Sequence, residues 1–199
     1  MEHIEKKNKK FITNDKNNNR INNRTRNMTL NLVMTGMFSA LLIVLSQLAI
    51  PSPTGVPITL QTFAVALTGV ILGWKFGFLS TLIYILLGAV GLPVFANFNA
   101  GLQAIAGPTG GFIYGFLLMV ILCGIGGSRK NIIQGIVIGI IGLLGCHVLG
   151  INHFAFLSNI SFWKSALLVS IPYLLKDVVS IVLAFVVGVK VKKSISFLS

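Results

Sequence analysis

The sequence predicts an all-α membrane protein with six transmembrane helices and both termini in the cytoplasm. Of its 199 residues, 54% are hydrophobic and 10% are charged, and the mean hydropathy is +0.87. Soluble domains carry about 25% charged residues. The long apolar runs are separated by Gly, Pro and charge, and a run of about 20 apolar residues crosses a bilayer. The composition therefore excludes an ordinary soluble fold.

The first 29 residues form a separate region by composition. Eight of the 16 basic residues lie in 1–29, among many Asn residues and without a periodic apolar pattern. This predicts a disordered, basic cytoplasmic tail that is attracted to anionic lipid. RNA binding by the tail is the alternative, but the placement of the +12 net charge favours lipid, so we expect no nucleic-acid partner. The polar lead is too long for a secretory signal.

Six apolar runs follow within a transmembrane, substrate-binding domain predicted at 30–193. We place the helices at 30–50, 58–73, 76–91, 109–127, 131–150 and 167–189. The second and third helices have about 16 residues each, which is short for a hydrocarbon core of about 30 Å. They are therefore expected to be tilted, buried among neighbours or extended into the flanking loops.

Basic residues set the orientation, because cytoplasmic loops carry an excess of Lys and Arg. The short turns and the C-terminal end share one side with the tail and carry Lys75, Arg129, Lys130, Lys190, Lys192 and Lys193. The opposite side has Lys164, with Lys176 nearby. The three longer loops, 51–59, 92–111 and 151–165, then face outward.

Asp177 is the only carboxylate after Asp15, and it lies within an apolar stretch. A carboxylate at membrane depth costs about 2.5–3.5 kcal/mol on insertion scales, so such residues mark functional sites. Pro172 suits the first turn of the last helix, which places Asp177 about 7.5 Å further along the axis. Asp177 is thus expected in the outer half of the membrane, beneath the three outer loops.

Polar residues in two outer segments predict a ligand site above Asp177. Thr59 and Gln61 of VPITLQT (56–62) suit either helix capping and interhelical hydrogen bonds or the wall of a site. Amide groups in the second loop, flanked by phenylalanines, are typical of a small-molecule pocket. These amides belong to Asn97, Asn99 and Gln103. Tyr84 and Tyr114 add hydroxyls, although interfacial anchoring explains a tyrosine equally well.

Lys176 precedes Asp177, and neighbours on a helix do not face each other directly. One interpretation is a buried ion pair that serves the bundle. The other is that Asp177 accepts hydrogen bonds from a ligand N–H or carries a proton or cation. GPTGG (107–111) is similarly open to two interpretations, a structural turn or a helix N-terminus that attracts an anionic group.

The remaining candidates favour no catalytic chemistry. His147 is expected to be a packed core histidine, and Cys123 and Cys146 to be buried thiols. The chain has no nucleophile elbow, paired carboxylates, metal-ligand set or Walker A loop, so we expect neither an enzyme nor a resident metal or cofactor. Gly36 and Ala40 have the small-xxx-small spacing that permits close helix approach, either within the chain or to a partner subunit.

Several of these segments together resemble one family. They are VPITLQT, the ILG-x-K-x-G turn (71–77), GLPVFA (91–96), GPTGG (107–111) and a last helix with Pro172 and Asp177. This combination, within about 30–190, resembles the BioY family, the biotin-binding S components of energy-coupling-factor (ECF) transporters of the bacterial cell membrane.

The resemblance implies a six-helix S-component fold and capture of biotin from outside. It also implies assembly with a transmembrane coupling subunit and a pair of ABC ATPases, with Gly36 and Ala40 at the coupling subunit. Asp177 would then accept from the ureido N–H groups of biotin. Family members commonly have a basic residue three positions after this Asp, whereas this chain has Ser180 there and Lys176 before it.

A second hypothesis from the residues alone is a proton- or cation-coupled carrier in which Asp177 is the coupling group, since a desolvated carboxyl group holds a proton more readily. A third is a membrane enzyme or scaffold, which no recognisable catalytic set supports.

Overall fold

The computed structural model describes the main chain of residues 2–50, 52 and 57–198 and the side chains of residues 20–50, 52 and 57–194. The chain divides after Met34 into two compact units. The helices and strands are α1 Glu2–Gln47, β1 Ala49–Ile50, β2 Ile58–Thr59, α2 Gln61–Ala89, α3 Leu102–Ala106, α4 Gly110–Gly126, α5 Ile132–Ser158, α6 Phe162–Val169 and α7 Ile171–Leu198.

The prediction of a largely helical chain is confirmed. By length and apolar composition, three helical stretches of the described part could each cross a membrane, Arg20–Gln47, Gln61–Ala89 and Ile132–Ser158. A shorter apolar helix covers Gly110–Gly126. These lengths agree with a membrane protein.

Helix α2 consists of two antiparallel segments. Gly73 has φ 75° and ψ 175°, which is non-helical and easiest for a residue without a Cβ. A Cβ built on Gly77 would lie 3.1 Å from Cα of Gly69, although residues eight apart in a straight helix are about 12 Å apart. Gln61 and Tyr84 are hydrogen-bonded to each other. The chain therefore reverses at Gly73, where the sequence predicts a short turn between two helices.

Helix α1 begins at Glu2 and so includes residues for which the sequence predicts disorder. The secondary structure differs from the prediction there because adding residues to an existing helix is far easier than nucleating one, and the apolar run from Leu30 supplies the helix. The domain boundary at residue 29 stays a prediction.

Two outer segments also differ from the predicted loops. β1 and β2 pair antiparallel, with Ala49 opposite Thr59, and join the end of α1 to α2. Part of the first loop, 51 and 53–56, lies outside the described residues. The predicted third loop, 151–165, is mostly helical, because α5 continues to Ser158 and α6 begins at Phe162.

Helix α4 packs between α2 and α5 through glycines. A Cβ on Gly124 would lie 2.4 Å from the backbone nitrogen of Trp74, and one on Gly115 would lie 2.6 Å from Sγ of Cys146. Small residues allow such close backbone approach between apolar helices. Pro172 is the second residue of α7, within the first turn as predicted.

Candidate functional site

A cavity of about 400 Å³ lies among α2, α4, α5, α7 and the segments that join them. This volume is within the range of about 300–1,000 Å³ for small-molecule sites. Its polar lining residues are Thr59, Gln61, Thr62, Asn97, Asn99, Thr109, His147, Lys176 and Asp177. Its aromatic lining residues are Phe95, Phe98, Phe112, Phe116 and Tyr173. Apolar walls with a few polar groups suit an organic ligand with a polar ring or head.

Asp177 is a buried carboxylate, 5% exposed, at the wall of this cavity. Its Oδ2 lies 3.3 Å from Nε2 of His147, and its Oδ1 lies 2.6 Å from Nζ of Lys176. The described donors around this carboxylate are the Lys176 ammonium, the His147 ring and the Thr62 hydroxyl. The carboxylate is therefore a charged acceptor at the cavity wall, surrounded by donors from α2, α5 and α7.

Lys176 belongs to the cavity as well as to the ion pair. Its Nζ donates to the backbone oxygen of Thr59, at 2.9 Å, and its side chain is 31% exposed. The ammonium thus joins α7 to the start of α2 while it offsets the charge of Asp177. Of the two interpretations that the sequence leaves open, the ion pair is present, and ligand binding by these residues stays a prediction.

His147 lines the cavity, although the sequence gives it only a packing role. Its Nδ1 lies 2.8 Å from Oγ of Ser170, and its ring packs edge to face on Phe112 at 5.7 Å. Because a carboxylate only accepts, the Nε2 hydrogen points to Asp177. The signal in the sequence is weak, since His147 and Asp177 are 30 positions apart on different helices and only their packing brings them together.

Thr59 and Gln61 form a hydrogen-bonded corner of the cavity. Thr59 Oγ1 donates to Gln61 Oε1 at 3.1 Å, and Gln61 Nε2 donates to the Tyr84 hydroxyl at 2.7 Å. Tyr84 is fully buried and packs edge to face on Phe95. It lies behind the lining residues and supports Gln61 and Phe95 from there.

Asn97 and Asn99 lie in the segment that closes another side of the cavity. Asn97 and Phe98 both have φ 57°, in the left-handed region, which costs a non-glycine residue on the order of 1–3 kcal/mol. A bridge between Phe95 and Asn99 closes this turn, and Asn99 Oδ1 accepts from the backbone N–H of Ala100. Strain of this kind clusters at ligand sites.

The structure does not bring every candidate into the cavity. Gln103 is an exposed residue of α3 and is absent from the lining. Tyr114 donates to the backbone oxygen of Ile105 and is 44% exposed. Gln103 lies on the exposed face of α3, and Tyr114 of α4 extends to the backbone of α3 instead of into the cavity. Any part they play in binding stays a prediction.

GPTGG is a close-packed turn with one residue at the cavity. Thr109 lines the wall, while a Cβ on Gly111 would lie 2.6 Å from the backbone oxygen of Leu149. His153 bonds to the backbone oxygen of Gly107. The glycines thus permit close approach of α4 and α5, which is the structural interpretation of this motif.

Gly36 and Ala40 lie on the exposed side of α1. A Cβ on Gly36 would meet nothing within 4 Å. Ser39, on a neighbouring face of α1, is buried and donates to the backbone oxygen of Ser80. The small residues are therefore not needed for packing of α1 against α2.

Cys123 and Cys146 are buried free thiols, as predicted. Within the described residues, no group of three or more His, Cys, Asp or Glu side chains could hold a metal ion.

Fold and cavity together define a helical membrane protein with a small-molecule site at one end of its bundle. Residues 14–197 match the model of the BioY family. The chain belongs to the BioY family, and the resemblance seen in the sequence is confirmed.

Relatives and a solved structure agree with this. The chain is 37% identical over 167 residues to the biotin transporter BioY of Thermotoga maritima, covering 81% of this chain and 95% of the relative. It is 37% identical over 155 residues to a probable biotin transporter BioY of Pyrococcus horikoshii, covering 78% and 91%. A crystal structure of the S component for biotin from an ECF-type ABC transporter superposes with a TM-score of 0.77 at 26% identity, covering 84% of this chain and 93% of that chain.

Proposed function

We propose that this protein is the substrate-capture (S) component of an ECF-type transporter and that it binds biotin in the cavity beside Asp177. The observation that carries the proposal is a buried carboxylate, paired with Lys176 and His147, at the wall of a cavity of ligand size. Membership of the BioY family suggests biotin as the ligand, and Asp177 is the group that we propose accepts a hydrogen bond from it. This function is transport and not catalysis, as the names of the relatives also indicate.

The chemistry of the cavity suits biotin. The ureido group offers two N–H donors, and Asp177 is a charged acceptor, so their hydrogen bond is of the stronger, charge-assisted kind. Phe95, Phe98 and Phe112 supply apolar cover for the rings and chain. Asn97 and Asn99 offer amide groups for the remaining polar ends.

The same proposal includes six membrane-spanning segments with both termini in the cytoplasm of a bacterial cell. The reversal of α2 at Gly73 adds one segment to those counted by length. Lys192 donates to the backbone oxygen of Gly127, so the C-terminal part of α7 lies beside the turn that carries Arg129 and Lys130. Basic residues thus gather at one end of the bundle, as expected on the cytoplasmic side.

The cavity lies toward the opposite end. Asp177 precedes Lys192 by 15 residues in α7, about 22 Å along the helix axis. The cavity would then open outward, and biotin would enter from outside the cell. Release inward needs partners, and we propose the transmembrane coupling subunit, docked at Gly36 and Ala40 of α1, and a pair of ABC ATPases.

Isothermal titration of the purified protein with biotin tests the function. Lipoate is the matched control ligand, because it has a sulfur ring and the same acid chain but no ureido group. We expect biotin to bind and lipoate to fail. No biotin binding at micromolar concentration would overturn the proposal. Equal binding of both ligands would show that the ureido group makes no specific contact with Asp177. Uptake that needs no coupling module and stops with a protonophore would favour the proton-coupled carrier instead.

A further inference from the structure

Gln47, the last residue of α1, uses both ends of its side-chain amide on one loop. Its Nε2 donates to the backbone oxygens of Pro93, at 3.2 Å, and Phe95, at 3.1 Å. Its Oε1 accepts from the backbone N–H of Phe98, at 3.0 Å. A single side chain therefore fixes three points of the segment 93–98. Only an amide can donate and accept in this way without a net charge.

The end of α1 reinforces this attachment. Ser46 is fully buried and donates to the backbone oxygen of Val94. Two successive residues of α1 thus hold three successive residues of the loop. Within the loop, the backbone adds hydrogen bonds from Val94 N–H to the Leu92 oxygen, from Phe95 N–H to the Asn99 oxygen and from Asn99 N–H to the Ala96 oxygen, and none of these involves the Phe98 N–H that Gln47 binds.

The segment that Gln47 holds has a conformation that it would not adopt alone. Asn97 and Phe98 are both in the left-handed region, which is unfavourable for residues with a side chain, and most of all for a bulky one. Such residues persist where the surroundings impose them. The Phe98 N–H, which Gln47 binds, lies at the centre of this strained pair.

In this conformation the segment presents aromatic and amide side chains to the cavity. Phe95, Asn97, Phe98 and Asn99 all line it. The Phe98 side chain is 70% exposed, whereas that of Phe95 is 3% exposed. An aromatic ring left open at a cavity wall gains contact when a ligand covers it. Gln47 itself is outside the lining, so it can act only through the segment.

We propose that Gln47 is a positioning residue for biotin binding: it holds Ala96–Asn99 in the strained conformation that places Phe98 and Asn97 against the ligand. A wall arranged before binding lowers the ordering cost of association. The inference rests on the proposed function, since it takes biotin as the ligand.

The test is a double-mutant cycle on the full-length protein, read by titration with biotin. Gln47→Ala is expected to weaken binding at least tenfold, and Gln47→Glu to do the same, because Glu cannot donate to the two carbonyls. The single variant Phe98→Ala is also expected to weaken biotin binding. The double variant Gln47→Ala, Phe98→Ala should bind biotin less than threefold more weakly than Phe98→Ala does. Both substitutions remove the same contact between Phe98 and the ligand, so their effects are not additive. Gln134→Ala, on the exposed start of α5, is the matched control and should bind as the unaltered protein does.

Three results would overturn the inference while leaving the proposed function intact. The first is unchanged biotin affinity in folded Gln47→Ala. The second is a double variant whose loss equals the product of the single losses, which a general packing role would give. The third result needs no variant and so applies even if the variants do not fold. It is hydrogen exchange of the Phe98 backbone amide in the unaltered protein. If this amide exchanges as fast as an unprotected one, Gln47 does not hold it. Absence of biotin binding by the unaltered protein would instead reject the proposed function.

Discussion

The ammonium of Lys176 lies 2.6 Å from Oδ1 of Asp177, the next residue along α7. Adjacent positions on a helix point about 100° apart, so the pair forms because the long lysine side chain bends back towards the carboxylate. The same Nζ also donates to the backbone oxygen of Thr59. The carboxylate is thus paired rather than isolated, and a ligand meets it with its charge already partly offset.

Asp177→Ala should weaken biotin binding at least tenfold, equivalent to about 1.4 kcal/mol, because a charge-assisted hydrogen bond to the ureido group is lost. Asp177→Asn is the sharper variant, since it keeps the shape and removes the charge. An amide oxygen still accepts, so we expect Asn to retain more affinity than Ala. Titration of both variants checks this, and affinity unchanged in both would remove Asp177 from the site.

Lys176→Ala should weaken binding, because it removes the cation beside the buried Asp177, leaves His147 and Thr62 as its partners in the described site and frees the Thr59 carbonyl. The loss of stability should be modest, about 1 kcal/mol, since Lys176 is part-exposed and its pair is partly screened. Adding Ser180→Lys places a cation three residues after Asp177, on the same helical face. We expect the double variant Lys176→Ala, Ser180→Lys to recover most of the affinity in titration.

The control for this exchange is Ser180→Lys alone. Ser180 is 6% exposed, so a lysine there needs the carboxylate as a partner, and with Lys176 still present two cations would share one anion. We expect this variant to be less stable to heat than the double variant. The reverse order would show that Lys176 does not serve as the cation for Asp177.

His147→Ala should lower both affinity and thermal stability. It removes the donor to Oδ2 of Asp177, and a buried polar group without its partner costs about 1–3 kcal/mol. Gln places an amide nitrogen near the Nε2 position, whereas Asn places one near Nδ1. We therefore expect His147→Gln to restore biotin affinity in part and His147→Asn to restore none. Equal affinities for Gln and Asn would mean that His147 acts only through packing.

Asp177 and the turn at Gly73 could be predicted from the sequence, because a membrane restricts which residues and backbone conformations are tolerated within it. A lone carboxylate in an apolar helix is costly, and its position five residues after Pro172 places it near the start of α7. The reversal at Gly73 follows in the same way, because two short apolar runs meet at a Gly and a Lys. Both features depend on residues near each other in the chain.

The rest depends on contacts that no local pattern encodes. His147 reaches Asp177 from another helix, and Gln47 reaches Phe98 across 51 positions. A histidine within an apolar helix and a glutamine at a helix end are each explained equally well by local packing or capping, so neither points to its distant partner. The left-handed turn leaves only a weak sequence signal, since Asn tolerates this conformation but the bulky Phe98 beside it does not favour it.

Gly88→Ala should disturb the cavity wall from behind. A Cβ at this position would lie only 2.1 Å from the Phe95 ring, and that ring is packed on Tyr84 and 3% exposed. The ring must shift, so we expect a stability loss of about 1–3 kcal/mol and weaker biotin binding. Gly36→Ala, where the added Cβ has free space, is the matched control: it should bind biotin unchanged and melt no lower than the unaltered protein, since Ala favours a helix interior over Gly.

Gly36→Trp separates capture from transport. Gly36 is exposed, and its built Cβ meets nothing within 4 Å, so a large side chain fits without disturbing the bundle. Close approach of a partner helix needs small residues at Gly36 and Ala40, and a Trp would hold that helix away. We expect biotin binding by the purified variant to be unchanged and biotin uptake by cells with the coupling module to fall at least tenfold. Ile141→Trp, on the exposed side of α5 (Ile141 is 55% exposed), is the matched control and should transport normally. Normal uptake by Gly36→Trp would move the docking surface elsewhere, and loss of binding would mean that this side of α1 supports the cavity instead.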